Sequence, residues 1–576
     1  MSSKINTLLK GIAAASGITI GNAFIFSKEK EEISHESIDN VTEAIKHLED
    51  ALALSKKELK KVFSLAIDKL GEKRASIFEA QMMILDDPVL IDNLKGRIRR
   101  EKKLPEYIVD DEISKYIHLM NEAHEMYMKE RSLDIEDIKN RIIRNLKKKK
   151  WKSKISSDVI VVTTTISPSD TVLFTQANVK GYVTDFGGLT SHAAIVARSL
   201  NIPAVLGVNE ATSIIKDGDV LIVDGFHGEV IINPDEERIL IYKNKINELN
   251  LYDEKLFKLR NKPAETIEGK EICLRANLDL TKEMDLIFRN NPKGIGLVRT
   301  EQIFEEYEAF PDEDEQFEVY NSIAQKIYPE NVTIRAFDIG GDKVLPVDLH
   351  ESNPFLGWRG IRLLLDNKNL FKSQIRAVLR ASQNKNIKLM IPMVTSIEEV
   401  FETKELIDQC KKELKKEKKS FDNDMHFGIM IEIPSAAVLT ATFAREVDFI
   451  SIGTNDLIQY LLAVDRGNEI VSKLYQEFHP AVIRTLSHII KEGKANDCKV
   501  SLCGEMGGDP LALPLLIGLG LEILSVSPSI VPLVKSIIRK LKYKDTLLLA
   551  DKCLTYSTEK EIINELNLFY NSIIDN

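Results

Sequence analysis

The sequence predicts a multidomain α/β protein, with a C-terminal (β/α)₈ barrel and an N-terminal α/β part that contains an inserted helical subdomain. Three observations predict this class. A chain of 576 residues is long enough for several domains. Between residues 34 and 146 glycine nearly vanishes and charge rises. Beyond residue 262, short apolar segments alternate with intervals long enough for helices.

Composition and charge narrow the class further. The chain is 44% hydrophobic and 29% charged, which is ordinary for a globular protein, and its net charge of −10 argues against a general nucleic-acid partner. It has no apolar run long enough to span a membrane and no convincing signal peptide, so we expect a cytoplasmic protein. Its five cysteines form no CxxC motif, which argues against a zinc site or a disulfide framework.

The first elements predict an α/β subdomain made of residues 1–33 and 147–233. It begins with the strand-like stretch "GIAAASGITIGNAFIF" and continues after the helical insertion with "DVIVVTTT" and "GYVTDF". It closes with "DGDVLIVDGFHGEVIIN", which is typical of two strands joined by a glycine turn. His227 lies in that turn, where we expect a structural role.

Two helical segments flank and interrupt this subdomain. In the insertion, residues 34–146, Val41, Ile45 and Leu48 mark one face of a helix at the spacing of 3.6 residues per turn. Residues 234–262 are highly charged, contain no glycine and have helical periodicity, so they predict a helix that links the N-terminal part to the barrel.

The barrel is predicted for residues 263–576 from eight strand-like segments, each followed by an interval long enough for a helix. An open, doubly wound sheet is the alternative, but the count of eight favours closure. The segments are 271–278, 294–299, 332–338, 387–394, 427–432, 448–454, 499–504 and 522–527.

A histidine stands where a helix should begin, in the segment "GGLTSHAAIVAR" (187–198). Thr190 or Ser191 can cap the helix, which places His192 in its first turn. Free N–H groups and the positive end of the helix dipole favour an anion there and disfavour imidazolium. We therefore expect a neutral, nucleophilic imidazole that can accept a phosphoryl group, although a surface histidine beside an ordinary cap is equally compatible with the local pattern.

Polar residues collect at the carboxyl ends of the predicted barrel strands, where such barrels place their active sites. Arginines supply planar forks for phosphate and carboxylate oxygens, so several together indicate a multiply anionic substrate. Taken singly, each charge could equally form a salt bridge at the barrel rim. The strand ends offer Asn277, Arg299, Arg335, Glu432, Asn455, Asp456 and Cys503, and the loops beyond add Lys343, Arg359 and Arg466.

Two further chemical functions are expected at this end of the barrel. Glu432 and Asp456 end neighbouring strands, and two carboxylates completed by water and substrate oxygens suit Mg²⁺. Cys503, in "SLCGEMGGD", can donate a proton to carbon or remove one. The other four cysteines are better read as small buried apolar side chains.

These motifs together resemble Enzyme I of the bacterial phosphoenolpyruvate:sugar phosphotransferase system, over essentially the whole chain. "GGLTSHAAIVAR" is similar to the family's phosphohistidine segment, and "DFISIGTNDLIQYLLAVDR" (448–466) to its second signature. "RAFDIGGDK", "NPFLGWRGIR", "MIEIPSA" and "SLCGEMGGD" match further blocks in order and spacing.

The resemblance implies a mechanism. Phosphoenolpyruvate binds with Mg²⁺ in the barrel, its phosphoryl group passes to His192, and Cys503 protonates the enolpyruvate that remains. Phosphohistidine then passes the group to a histidine of the carrier protein HPr, the first step of sugar uptake. The resemblance assigns substrate contacts to Arg299, Arg335, Lys343, Arg359, Asn455, Asp456 and Arg466, and metal ligands to Glu432 and Asp456.

The resemblance also implies partners and movements. The α/β subdomain swivels between the barrel and the carrier, residues 34–146 dock HPr, and the barrel domain forms a homodimer. We expect the docking face near Phe78, Met82, Met83 and Leu85.

The sequence differs from the family's usual pattern at two positions, and two alternative functions remain to be weighed. Leu189 replaces a usual arginine, which removes a local positive charge that could help to hold phosphohistidine or to select the partner, and Gln302 replaces a usual aromatic residue. A dikinase or synthase that uses phosphoenolpyruvate is one alternative, but those enzymes carry a large ATP-binding domain before the histidine. A catalytically silent protein that senses phosphoenolpyruvate is the other, against which the intact His192, Glu432, Asp456 and Cys503 argue.

Overall fold

The computed structural model divides the chain into two compact units, residues 1–251 and 252–576. Within the part of the chain that it describes, no helix combines the length and apolar character needed to cross a bilayer. The structure describes residues 6–26, 33–70, 78, 81–122, 126–148, 158–166, 170, 174, 177–188, 191–199, 202–279, 283–301, 310–340, 351, 353–466, 468 and 470–574.

An eight-stranded sheet organises the first unit, in the order β1-β8-β7-β3-β4-β5-β6-β2. β3 pairs in parallel with β4, Asn22 opposite Val159 and Ile25 opposite Val162. The predicted hairpin is also present, since β7 and β8 pair antiparallel around a turn that contains His227. The strands are β1 (Thr7–Lys10), β2 (Ile12–Ala15), β3 (Ile18–Ile25), β4 (Val159–Thr163), β5 (Gly181–Thr184), β6 (Ala204–Leu206), β7 (Val220–Asp224) and β8 (Glu229–Ile232).

The helical insertion lies between β3 and β4. It has its own core, in which Leu48, Leu59, Leu94, Ile108 and Ile142 are buried. These residues recur on the inward stripe of each helix, so packing of amphipathic faces stabilises the insertion. Its helices are α1 (Val41–Leu70), α2 (Pro88–Glu101), α3 (Pro105–Glu122) and α4 (Met126–Leu146), with a shorter helical segment at 81–86.

Three further helices are fully described in the first half of the chain: α5 (His192–Ser199), α6 (Ala211–Ile214) and α7 (Glu236–Lys258). The last begins within the first unit and ends within the second, so one continuous helix joins the two. It occupies the segment in which the sequence predicts a linking helix.

Eight parallel strands close into a barrel in the second unit, in the order β10-β11-β12-β13-β14-β15-β16-β9. All eight predicted strands are present, so the prediction of a closed barrel is confirmed and the open-sheet alternative is wrong. The strands are β9 (Cys273–Leu278), β10 (Ile295–Val298), β11 (Val332–Arg335), β12 (Ile387–Ile391), β13 (His426–Ile431), β14 (Phe449–Ile452), β15 (Lys499–Leu502) and β16 (Ile523–Val526).

Successive side chains along each barrel strand point alternately outward and inward, which gives one apolar layer outside the barrel and another inside it. Outward side chains such as Leu274, Leu389 and Leu502 join the large core beneath the surrounding helices. Inward side chains form a small second cluster of Leu297, Met390, Met430, Phe449 and Cys503. The helices are α8 (Met284–Asn290), α9 (Glu313–Ile327), α10 (Ile361–Asp366), α11 (Lys368–Ala381), α12 (Ile397–Lys416), α13 (Pro434–Val438), α14 (Thr440–Ala444), α15 (Thr454–Leu462), α16 (Pro480–Ala495), α17 (Ala512–Gly518), α18 (Val531–Ile538), α19 (Tyr543–Thr555) and α20 (Glu559–Ile574).

Candidate active site

His192 is the first residue of α5. The Ser191 hydroxyl accepts a hydrogen bond from the backbone N–H of Ala194 at 3.3 Å and donates one to the carbonyl of Gly188 at 2.8 Å, so Ser191 is the N-cap. Gly187 has φ of 135°, a conformation that glycine adopts without strain. The backbone at His192 therefore matches the sequence prediction of a residue at a capped helix N-terminus. Thr190 and Leu189 lie outside the described residues.

Arg335 lies at the end of β11 and is buried between two carboxylates. Its guanidinium forms an ion pair with Glu301 and another with Asp338, at 3.2 Å. Burial lowers the pKa of Arg335, but the neighbouring Glu301 and Asp338 raise it by more, so the net pKa lies above the ordinary value. This side chain remains cationic although it is buried.

Arg359 connects two carboxylates from different parts of the barrel mouth. Its Nε and Nη2 donate to the two oxygens of Asp338 at 2.9 Å each, and Nη2 also donates to Asp456 at 2.9 Å. Burial lowers the pKa of Arg359, and Asp338 and Asp456 raise it by more. Its backbone is fixed by a bridge to Gly340 and by Gly360, whose φ is 59°. The result is a buried chain of alternating charges, Arg335–Asp338–Arg359–Asp456.

Glu432 directly follows β13 and is buried. The backbone N–H of Met393 donates to its Oε1 at 2.6 Å. Burial, followed by the charges of Asp456 and Asp338, raises the pKa of Glu432 to about 8. A Cβ atom at Gly453 would lie 2.8 Å from Glu432 Oε2, so glycine at that position leaves room for the carboxylate.

These carboxylates fit a divalent metal ion, because Glu432 and Asp456 repel one another in a buried site and offer the hard oxygen ligands that Mg²⁺ prefers. In the described part of the chain, no group of three or more histidine, cysteine or acidic side chains is arranged to hold a metal. Substrate oxygens and water would therefore have to complete the coordination, as Mg²⁺ commonly requires.

Cys503 follows β15 and is buried. Its thiol lies 3.7 Å from the carbonyl oxygen of Ile452, and burial raises its pKa. The side-chain amide of Asn277 donates to the Cys503 carbonyl at 3.0 Å and accepts from the Ser525 hydroxyl at 2.7 Å. Cys503 is thus a protonated thiol on a backbone held by Asn277, which gives that predicted residue a positioning role.

Arg299 follows β10 and pairs with Asp279 at 2.9 Å, with roughly a third of its side chain exposed. Both residues line a cavity of about 500 Å³ at the strand ends, together with Asn277, Gly504 and Glu505. Arg299 is therefore the accessible arginine beside the Cys503 segment, whereas Arg335 and Arg359 lie buried.

The remaining predicted residues differ in their surroundings. The Asn455 side chain donates to the Glu505 carboxylate at 2.9 Å and accepts from the Glu505 backbone N–H at 3.0 Å, so it connects α15 with the loop after β15. Arg466 is exposed, and its backbone N–H donates to Gln459 at 3.2 Å. Lys343 and Gln302 lie outside the described residues.

Sequence reasoning missed two carboxylates of this site, Glu301 and Asp338. Both are buried against Arg335, and Asp338 also binds Arg359. A signal was available, since Glu301 follows β10 within three residues and Asp338 follows β11 at the same distance. An acidic residue just past a barrel strand indicates the site in the same way as an arginine at that position.

Profiles of three families match the chain. The PEP-binding domain of PEP-utilising enzymes matches residues 253–543, their mobile domain matches 155–228, and their N-terminal domain matches 10–131. The first covers the barrel, and the second includes His192.

Relatives match at nearly full length. The chain is 38% identical to a phosphoenolpyruvate-protein phosphotransferase of Bacillus subtilis (strain 168) and 39% identical to one of Geobacillus stearothermophilus, over 96% of this chain and 98% and 97% of theirs. A third, from Mycoplasma capricolum subsp. capricolum, is 38% identical over 98% of this chain and 99% of its own. With barrel, capped histidine helix and carboxylate–arginine site in place, the chain belongs to the phosphoenolpyruvate-protein phosphotransferase family of enzymes.

Proposed function

We propose that this enzyme transfers the phosphoryl group of phosphoenolpyruvate to an imidazole nitrogen of His192 and then to a histidine of the carrier protein HPr, releasing pyruvate. The observation that carries the proposal is the buried chain Arg335–Asp338–Arg359–Asp456 beside Glu432, at the end of the barrel where such enzymes act. Phosphoryl transfer depends mainly on positioning and on neutralising charge, and this arrangement holds two guanidinium groups in fixed orientations in a buried site.

Substrate recognition is assigned to the arginines. Arg299 is accessible beside the cavity and can exchange its ion pair with Asp279 for one with the substrate. Arg335 and Arg359 are held by carboxylates, so their guanidinium forks meet the substrate already oriented. Lys343, Asn455 and Arg466 complete the proposed contacts.

Enzymes of this family need a divalent metal ion, and we propose Mg²⁺ with Glu432 and Asp456 as its protein ligands. When bound, it would neutralise negative charge on the substrate oxygens. Arg359 donates a hydrogen bond to Asp456, whereas burial and the charges of Asp456 and Asp338 disfavour the ionised form of Glu432, which a bound cation would stabilise.

In the first half-reaction the oxygen–phosphorus bond of phosphoenolpyruvate breaks and a nitrogen–phosphorus bond to His192 forms. The Cys503 thiol donates its proton to the enolate carbon, which yields pyruvate and a thiolate that regains a proton from water. Burial raises the pKa of Cys503, which keeps the thiol protonated until that step.

The second half-reaction requires His192 to meet the carrier. We assign residues 1–33 and 147–233 to a swivelling phosphohistidine subdomain, 34–146 to HPr docking, 234–262 to the linking helix and 263–576 to phosphoenolpyruvate binding and homodimer formation. A swivel about the linking helix would let one histidine serve two sites.

The docking face expected around Phe78, Met82, Met83 and Leu85 needs correction. Phe78 and Leu85 are buried in the helical core, because they lie on the inward stripes of their helices. Met83 is 73% exposed and Leu119 on α3 is 65% exposed, so these apolar side chains are the better candidates for carrier contact.

Two separate fragments of the chain should each retain only the functions of one unit. A fragment that ends near residue 255 contains the complete first unit and should accept a phosphoryl group from phospho-HPr but none from phosphoenolpyruvate at any Mg²⁺ concentration. The fragment from about residue 262 onward should bind phosphoenolpyruvate and dimerise without becoming labelled. Both donors are tested on both fragments by protein-bound phosphate label, after circular dichroism confirms folding.

Two results would contradict these assignments. Labelling of a folded N-terminal fragment by phosphoenolpyruvate would remove the substrate site from the barrel. A folded N-terminal fragment that is inert to phospho-HPr would remove carrier docking from residues 34–146.

Cys503→Ala should slow pyruvate formation by about 10²- to 10⁴-fold, the usual contribution of a positioned proton donor. Phosphate exchange between His192 and phospho-HPr should stay within about two-fold of the parent enzyme, because it uses no barrel proton. Cys553→Ala, which truncates a buried cysteine under the outer helices, is the matched control. Near-normal pyruvate release by the Cys503 variant would leave this thiol with only a packing role.

A further inference from the structure

The opposite, N-terminal end of the barrel interior carries a group of cations. Leu274 and Ala276 pack outward under the helices, so Arg275 between them points inward. A Cβ atom at Gly296 would lie 3.3 Å from Arg275 Cβ and 2.5 Å from Ser525 Oγ. The strands of Gly296 and Ser525 are not neighbours, so these groups meet inside the barrel, where glycine makes room for Arg275.

Two lysines reach the same region from other strands. Lys388 alternates with the outward Ile387 and Leu389, and Lys499 precedes the outward Val500. The Lys388 ammonium lies 5.5 Å from the centroid of the inward Phe449 ring.

The charges of Arg275 and Lys499 both act on Lys388. Burial, then Arg275 and Lys499, lower the pKa of Lys388 to about 8, while Cys273 and Asp448 act weakly in the other direction.

Asp448, the carboxylate whose charge acts on Lys388, makes its contacts elsewhere. Asp448 accepts a hydrogen bond from the Phe427 backbone N–H at 2.7 Å and lies 3.8 Å from His426 Nδ1. Across the described ranges, Arg275, Lys388 and Lys499 form no ion pair, and the buried Nε of Arg275 has no hydrogen-bond partner. A buried donor without a partner and converging like charges both cost stability, and an anion placed among them would relieve both.

We propose that Arg275, Lys388 and Lys499 bind a small anion that carries a phosphate group, at the barrel end opposite the phosphoryl-transfer site. Arg275 on β9 supplies a fork with a free Nε donor for two phosphate oxygens, and the two lysines supply point charges from β12 and β15. Lys499 is exposed and Lys388 half-buried, so the site is open to solvent on its outer side. This second site is independent of the proposed reaction.

Cys273 provides a local reporter for this site. It occupies the first inward position of β9, next to the cations, and is partly exposed, whereas the other four cysteines are buried. The full-length chain is treated with iodoacetate, with inorganic phosphate as the probe and chloride matching the ionic strength. Phosphate at about four times its dissociation constant should slow carboxymethylation of Cys273 about five-fold, because only the free fraction reacts.

Variants decide where the phosphate acts. Lys499→Met and Lys388→Met should each remove most of the protection, whereas Lys326→Met, which removes an exposed lysine from the last turn of α9, should retain it. Arg299→Met, at the other end of the barrel, should also retain it. The proposal is overturned if phosphate protects no better than chloride, if Lys499→Met keeps full protection, or if Arg299→Met alone abolishes it. Lys499 is exposed, so its replacement leaves the fold intact and the test valid.

Discussion

His192→Ala is expected to lower phosphorylation of the enzyme at least about 10⁴-fold, whether phosphoenolpyruvate or phospho-HPr is the donor, because the nucleophile of both half-reactions is lost. The helix itself should survive, since its cap is the Ser191 hydroxyl and alanine is a good helix former. The measurement is acid-labile, base-stable phosphate on the protein after incubation with each labelled donor.

Binding of phosphoenolpyruvate provides an internal control, because every proposed binding residue of the barrel remains. The dissociation constant of the substrate should therefore change less than two-fold. His227→Ala is the matched variant: this ring is exposed in the β7–β8 turn and lies 2.9 Å from Asp224, and its loss should leave labelling intact. Stable label on the His192 variant would assign the acceptor to another residue.

Arg359→Met is expected to lower both the stability and the activity of the barrel. It leaves Asp338 and Asp456 buried without the cation that joins them, which should cost about 3–5 kcal/mol of folding free energy. Phosphorylation by phosphoenolpyruvate should fall by more than about 10³-fold, because a proposed substrate contact is lost and Asp456 loses the hydrogen bond that positions it. Urea unfolding of the 252–576 unit and single-turnover labelling measure the two effects.

Arg359→Lys tests the geometry separately from the charge. An ammonium ion cannot span two carboxylates as the guanidinium does, so we expect the lysine variant to recover part of the stability and little of the activity. Arg362→Met is the matched control, since Arg362 lies three residues further on and, among the residues that the structure describes, donates to the carbonyls of Leu356 and Gly357 rather than to a carboxylate. If Arg359→Lys were fully active, the bidentate contacts with Asp338 would have no catalytic role.

The sequence predicts the fold correctly at elements whose local pattern alone determines their structure. The barrel strands are short apolar runs with helix-length intervals, and all eight lie where predicted because parallel strands buried on both sides leave few alternatives. The N-cap at Ser191 was predictable for the same reason, since a capping hydroxyl acts within one helical turn.

The parts that escaped prediction depend on pairings distant in sequence. The Asp338–Arg359 contact joins residues 21 positions apart, and Arg359–Asp456 joins residues 97 apart. No periodicity encodes such pairs. Phe78 and Leu85 illustrate a different failure. The sequence does not distinguish an apolar helical residue that packs in the core from one that contacts a partner, and both of these residues are buried in the helical core.

The parallel pairing of β3 with β4 has a consequence for modularity. Because parallel neighbours cannot be joined by a hairpin, the chain must cross from Ile25 back to Val159, and the whole helical insertion is that crossing. The sheet requires only that the two attachment points be connected, and the three residue steps between them correspond to about 10 Å along the strands. If residues 34–146 dock the carrier and His192 accepts the phosphoryl group, as proposed, then a different helical bundle grafted between the same two strands should redirect the histidine to another recipient.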